Sequence, residues 1–480
     1  MTSTPVDIAR QVGANLARAA RQVAGVTMLP RQRRFWLRLR VGRLDELPVA
    51  GPPFRKRGST GMFEALQTLA TAADDAQVEG VLLHFTGPLP GLSKAASLRR
   101  AVLALREAKV SVAAYAEVLD AGGLLVASAA DRLWMPPAGN LHLVGLRLES
   151  LFLRGALERI GLSPEVVSVG RYKSAGERFT RERMSAESRE QLEALADDLY
   201  AELVEGLAAR RGLGADDVRD LIDRGPYHAK AAVAAGLVDG CLYPDELPAA
   251  LRELSNGRHG SASSSEESEP VDALLYHALR CGDPGWRPLL GGLPRVAYVV
   301  ARGLIVRGRS QRGIASDAYG SLLDGLRRDE GVRGVVLRVE SGGGDAIASD
   351  LLCRSVSMVS REKPVVVSMG EVVASGGYYM ASAADELLAE VGSVTGSIGV
   401  VGGKLNLEGL YERVGVTKDA VERGARAGLL SESRGFTPDE KSAVRGEMAA
   451  LYDTFVDRVA SGRGLSIADT RKVAEGRVWS

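Results

Sequence analysis

Ser375 carries the first hydroxyl placed to do chemistry. It stands in the stretch PVVVSMGEVVASGGYYMASAAD, directly before Gly376 and Gly377. The apolar run reads as a strand and the Gly-Gly segment as the opening of a helix, which puts Ser375 at the turn between them. Free N–H groups at a helix N-terminus favour negative charge, so the N–H of Gly376 is a natural donor to an oxyanion formed when Ser375 attacks. A second glycine-rich turn, LRVESGGGDAIAS, holds Gly342, Gly343 and Gly344 after the preceding strand. Loops after parallel strands share one sheet edge, so this turn could supply the other donor. The plainer alternative is a helix N-cap with glycines that only allow tight packing, since serine is a common cap.

The chain itself offers a test of that alternative. An earlier line, EVLDAGGLLVASAAD, repeats the Ser375 segment 254 residues upstream and puts Ala121 where Ser375 stands. Alanine is a poor cap, yet Gly122 and Gly123 are kept. Gly342, Gly343 and Gly344 lie over Pro88, Leu89 and Pro90, so the second glycine turn is lost from the same copy. A serine nucleophile also needs a base. No histidine accompanies these motifs, but GRYKSAGERFTRERMS of the first copy carries Lys173, and at an offset of 252 it lies over Ala425. Each copy has given up one half of a Ser–Lys pair. Lysine acts as a base only when burial lowers its pKa, whereas a solvated surface charge is the default for any lysine.

The elements that must position these residues follow from the same comparison. VEGVLLHF (78–85) lies over VRGVVLRV (332–339), and both are short, nearly continuous apolar runs of the kind that buried parallel strands show. Helical stripes alternate with them, among them Val444, Met448, Leu451, Phe455 and Val459 after a capping box at Thr437, Pro438 and Glu440. The alternation predicts an α/β fold: two tandem duplicated domains with mainly parallel sheets. The expected boundaries are an N-terminal basic segment at 1–34, a first repeat at 35–255, a Ser/Glu-rich flexible linker at 256–272 and a second repeat at 273–480. Trp479 and Ser480 lie over Tyr227 and His228, after which the first copy continues and the second stops, so the second repeat reads as cut short.

Composition narrows the function classes. Net charge is +1, which gives no electrostatic case for nucleic acid. The three cysteines are far apart and form no CxxC pair, so neither a disulfide framework nor a zinc site is expected. No apolar run reaches the roughly 18 residues of a membrane-spanning helix, and no signal peptide is seen. Val6, Ile8, Val12, Leu16, Ala20 and Val23 recur at helical spacing among Arg10, Arg18 and Arg21; the segment reads either as a membrane-surface helix or as one packed on its own domain.

The motifs GRYKSAGERFTRERMS, ASGGYYMASAAD, SVTGSIGVVGG and SGGGDAIAS, within a likeness spanning roughly residues 35–480, resemble the long tandem-domain form of signal peptide peptidase A, serine proteases of ClpP/crotonase-like fold. The resemblance implies Ser375 as nucleophile, Lys173 as general base and Ser397 as a second serine that orients the lysine amine. It implies an oxyanion hole at Gly376 and at Gly343 or Gly344, with no metal or cofactor. It further implies hydrophobic, signal-peptide-like substrates and a homo-oligomer, with a tetramer among the sizes to expect. The location implied is peripheral on a bacterial inner membrane or cytoplasmic. Three departures accompany it: no N-terminal anchor is seen, Gly342 stands where the family usually has proline, and the last repeated element stops early. Two other readings are a catalytically impaired scaffold that binds peptides or membranes, and a crotonase-like acyl-CoA enzyme. The second has no use for a split Ser–Lys pair.

Overall fold

The computed structural model describes residues 34–42, 44–46, 61–89, 91–259, 269–281 and 293–480, with scattered positions between 12 and 30. Most of the N-terminal segment, most of the 256–272 linker and Pro90 lie outside the described residues. The chain forms two compact units, one of Met1–Leu146, Leu199–Pro294 and Glu390–Gly392, the other of Arg147–Asp198, Arg295–Ala389 and Ser393–Ser480.

In the first unit, β1 (Phe35–Val41), β2 (Val78–Phe85), β3 (Ser111–Ala116) and β4 (Arg132–Met135) pair in that order, all parallel. Two-residue strands at Val271–Asp272 and Gly240–Cys241 close the two edges. Leu37, Leu39, Val81, Leu83, Leu98 and Leu105 make its core. The helix α1 (Ala121–Ala127) follows β3 by way of a short strand at Val118–Asp120.

The second unit begins with β5 (Ser163–Val169) and the first half of α2 (Ala186–Arg211). Its main sheet runs β6 (Arg295–Arg302), β7 (Val332–Ser341), β8 (Val365–Ala374), β9 (Val394–Gly396) and β11 (Val478–Trp479). Every pair is parallel except β9 with β11. The continuous apolar reading of β7 and β8 matches burial of Val335, Leu337, Val339, Val365 and Val367 beneath Leu352 and Val356 of α3 (Ala346–Ser360). Each such side chain removed from water contributes about 1.5–3 kcal/mol. A helix α4 (Gly376–Ala381) follows β8, and β10 (Val400–Asn406) follows β9. Two more helices, α5 (Pro438–Arg463) and α6 (Ile467–Val473), precede β11.

Local rules start these helices. Thr437 and Glu440 form the expected capping box of α5 with Pro438 in its first turn, and the Asp345 side chain accepts from Ala348 N at 2.9 Å to open α3. The repeat extends beyond the gap-free match. A bulge falls between Phe35 and Trp36 of β1 and again between Arg295 and Val296 of β6, so these two strands are counterparts despite a longer intervening segment in the first copy.

Candidate active site

Lys173, Ser375 and Ser397 all belong to the second compact unit. Ser375 follows β8 directly. Its N–H donates to Gly396 O at 2.8 Å, which ties it to the turn carrying Ser397. Lys173 follows β5, and β5 pairs antiparallel with β10, Val169 opposite Val400. Because β10 starts just after Ser397, this two-stranded ribbon carries the lysine turn to the serine turn.

The three side chains meet. Lys173 Nζ is 3.0 Å from Ser375 Oγ, 3.0 Å from Ser397 Oγ and 2.8 Å from Ser397 O. The lysine is only 7% exposed. Burial lowers its pKa from 10.5 to about 8. A neutral amine has two N–H donors and one lone pair. Both oxygens of Ser397 can accept from it while Ser375 O–H donates to it, so the three contacts suit the neutral form. The aliphatic stem passes over Gly399, where a Cβ would stand 3.1 Å from Lys173 Cδ.

Ser375 occupies the residue before α4 but does not cap it: its side chain makes no capping hydrogen bond. Its backbone sits at φ 53°, ψ −123°, a region that glycine populates freely and that costs other residues roughly 1–3 kcal/mol. Ser397 is likewise at φ 53°. Both hydroxyls are thus held on strained turns and aimed at the lysine instead of at local backbone.

The glycine turn resolves into distinct roles. Gly343 has φ 100°, its N–H donates to Ser341 Oγ at 3.1 Å, and its carbonyl accepts from Ile305 N at 3.0 Å. Gly344 forms a parallel bridge with Ile305 in which the hydrogen bonds belong to Gly343 O and Asp345 N. In such a bridge the central residue's own N–H faces the other way. That side holds Gly376, where a built Cβ would lie 3.2 Å from Gly344 N. The N–H of Gly344 therefore faces the Gly376 turn, while Gly343 lets the two turns touch: a Cβ there would fall 2.6 Å from Gly376 N and 2.9 Å from Ser375 Cβ.

The first copy shows the same two turns in a different state. There Asp120 caps α1, accepting from Gly123 N at 2.8 Å and from Leu89 N at 3.2 Å. Leu89 is the counterpart of Gly343, so one carboxylate bridges the two turns equivalent to those at Ser375 and Gly343. The second copy has Ala374 at the position of Asp120. The exchange of Asp for Ala beside the Ala-for-Ser exchange was open to sequence comparison and escaped it. Also unforeseen were Ser341, which donates to Gly303 O at 2.7 Å, and residues 475–478, which touch both the lysine and serine turns.

Among the described residues no group of three or more His, Cys, Asp or Glu side chains is placed to hold a metal ion. No helix of the described residues is long and apolar enough to cross a membrane.

Known proteins resemble this chain along most of its length. A chloroplastic serine protease SPPA of Arabidopsis thaliana is 31% identical over 93% of this chain and 66% of its own length. Protease 4 of Haemophilus influenzae is 28% identical over 87% of this chain and 68% of its own. The chain thus spans about two thirds of these relatives. A solved ClpP1 mutant from Listeria monocytogenes covers 38% of this chain and 82% of that one, with a TM-score of 0.23 and 13% identity. The model of peptidase family S49 matches residues 104–257 and 357–480, more than half of the sequence. The chain belongs to peptidase family S49, a family of serine-type peptidases.

Proposed function

We propose that this chain is a serine endopeptidase working through a Ser375–Lys173 dyad. The observation that carries the reading is the buried Lys173 amine held 3.0 Å from Ser375 Oγ by the two oxygens of Ser397. The neutral amine takes the Ser375 proton as Oγ attacks a peptide carbonyl. Charge develops on the carbonyl oxygen, where the N–H groups of Gly376 and Gly344 are the donors; a single such donor is typically worth 10²–10³ in kcat. The tetrahedral adduct collapses, the C–N bond breaks, and the lysine ammonium gives its proton to the leaving amine. The same lysine then takes a proton from a water whose oxygen attacks the acyl-serine carbonyl; the ester C–O bond breaks, and the lysine ammonium returns the proton to Ser375 Oγ. Ser397 keeps the amine on the side of the nucleophile throughout.

Hydrophobic peptides, cleaved signal peptides among them, are the substrate class that the resemblance supports. Peripheral contact with a bacterial inner membrane has the same support, together with the arginine-interleaved apolar residues before position 34. The working form is a homo-oligomer. Its support is internal: β5 pairs with β10, but the counterparts of those strands by repeat position, 415–421 and 146–152, are exposed and form no strand.

Ser375→Ala and Lys173→Ala are each expected to abolish hydrolysis of an unstructured or apolar peptide while the circular dichroism spectrum stays unchanged. Lys173→Arg is expected to fail equally, because guanidinium does not deprotonate near neutral pH. Turnover near the wild-type rate by any of the three defeats the dyad.

A further inference from the structure

The turn that carries Lys173 is held mainly by residues far away in sequence. Glu475 follows α6 with its backbone at φ 54°. Its carbonyl accepts from Tyr172 N at 2.7 Å and its Oε2 from Arg171 N at 3.1 Å. Its Oε1 accepts from Tyr452 Oη of α5 at 2.9 Å. Gly476 then presses its backbone on the lysine: a Cβ there would come within 2.5 Å of Lys173 N and 2.7 Å of Lys173 Cβ. On its other side Gly476 N donates to Ile398 O at 2.7 Å, and Arg477 O accepts from Ser397 N at 2.7 Å. One tight turn of three residues therefore joins the base's turn to the turn of the serine that orients it.

The charges around this stretch are engaged with one another. Arg477 pairs with Glu190 at 3.0 Å, Arg171 lies 3.6 Å from Glu187, and Arg471 pairs with Asp453 at 2.7 Å. The ring of Tyr172 lies beneath Arg477, 5.1 Å from its guanidinium carbon, and its hydroxyl donates to Glu190 at 3.0 Å. Burial lowers the affinity of the Lys173 amine for its proton. The Glu475 carboxylate therefore acts on the lysine through the backbone it holds.

We propose that Glu475 is a positioning residue for the general base: its carboxylate anchors the Arg171–Lys173 turn to Tyr452 and so fixes both the reach and the burial of the Lys173 amine. This rests on the Ser375–Lys173 reading. The physical reason is the length of lysine. Four rotatable side-chain bonds magnify a small shift of the backbone at 173 into a misplaced amine, and misplacement by an ångström can cost about 100-fold in rate.

The test uses the full-length chain and a fluorophosphonate probe, whose covalent attachment to Ser375 reports nucleophile activation without a peptide substrate. Labelling rates of wild type, Glu475→Ala and Glu475→Gln are measured between about pH 6 and about pH 10, with Ser375→Ala as blank. Glu475→Ala is expected to slow labelling by roughly 10–100-fold and to move the midpoint of its pH profile upward, as the loosened amine meets water. Glu475→Gln keeps one side-chain acceptor and is expected to fall between. A Glu475→Ala protein that labels at the wild-type rate, or more slowly with an unmoved midpoint, overturns the positioning role. A wild type that does not label at Ser375 overturns the dyad itself, which separates the two failures.

Discussion

At the scale of single residues, Lys173 and Ser375 both sit in states that cost stability. Lys173 is held with its pKa lowered from 10.5 to about 8, so the unfolded chain binds the proton more tightly than the folded one. Below about pH 8 this burden is complete, of order 3 kcal/mol, and it is relieved as pH rises through the window from about 8 to about 10.5. Two outcomes follow. Peptidase activity is expected to rise with pH around an apparent pKa of about 8, because only the neutral amine accepts a proton; a rate flat from about pH 6 to about pH 9 would exclude Lys173 as the base. Chemical denaturation of Lys173→Met should also show a stability, relative to wild type, more favourable by about 3 kcal/mol below that window than above it. Ser375 allows a second comparison. Ser375→Ala keeps a Cβ at φ 53°, whereas Ser375→Gly removes it, so both are inactive but the glycine variant should be more stable by about 1 kcal/mol.

At the scale of elements, the three glycines at 342–344 are not equivalent. A Cβ at Gly344 would meet Ile305 O at 2.1 Å, a backbone atom that cannot step aside, whereas nothing lies within 4 Å of one at Gly342. Gly344→Ala is therefore expected to lose activity and stability together, and Gly342→Ala to retain both. Melting temperature and peptide turnover measured on the pair check this. The Pro-to-Gly departure at 342 falls at the one place in the turn where a side chain has room. In the first copy the equivalent turns are bridged by the Asp120 carboxylate, which satisfies the helix start from within. Loss of the serine there went with a capping acid, a local and stabilising exchange typically worth about 1 kcal/mol.

At the scale of the molecule, the ribbon of β5 with β10 joins a strand of the first sequence copy to one of the second inside a single chain. Repetition of that pairing between chains would use 415–421 of one and 146–152 of the next. Both segments are exposed along nearly their whole length, with Val421 85% and Leu151 64% accessible. Proline cannot donate to a strand ladder. Val421→Pro is accordingly expected to lower the sedimentation coefficient to that of a smaller assembly while leaving the fold of each chain intact. An unchanged assembly would exclude this edge as the contact.

Much about this protein lay open in the order of its residues. The repeat, the parallel α/β layering and the capping box at Thr437 all depend on neighbours within a few positions or on self-similarity, and such patterns survive in one dimension. The complementary exchanges Ser375/Ala121 and Lys173/Ala425 pointed to two groups that belong together. Three dimensions were needed for the rest. Residues 147–198 come from the first copy yet pack in the unit that holds the second, because the β5–β10 ladder and the contacts at 475–478 join segments more than two hundred residues apart. The strained backbone of Ser375, the different contacts of Gly343 and Gly344, and the hold of Glu475 on the lysine turn are likewise decided by tertiary contact. Each depends on where a distant backbone atom lies to within an ångström, and no local propensity encodes that distance.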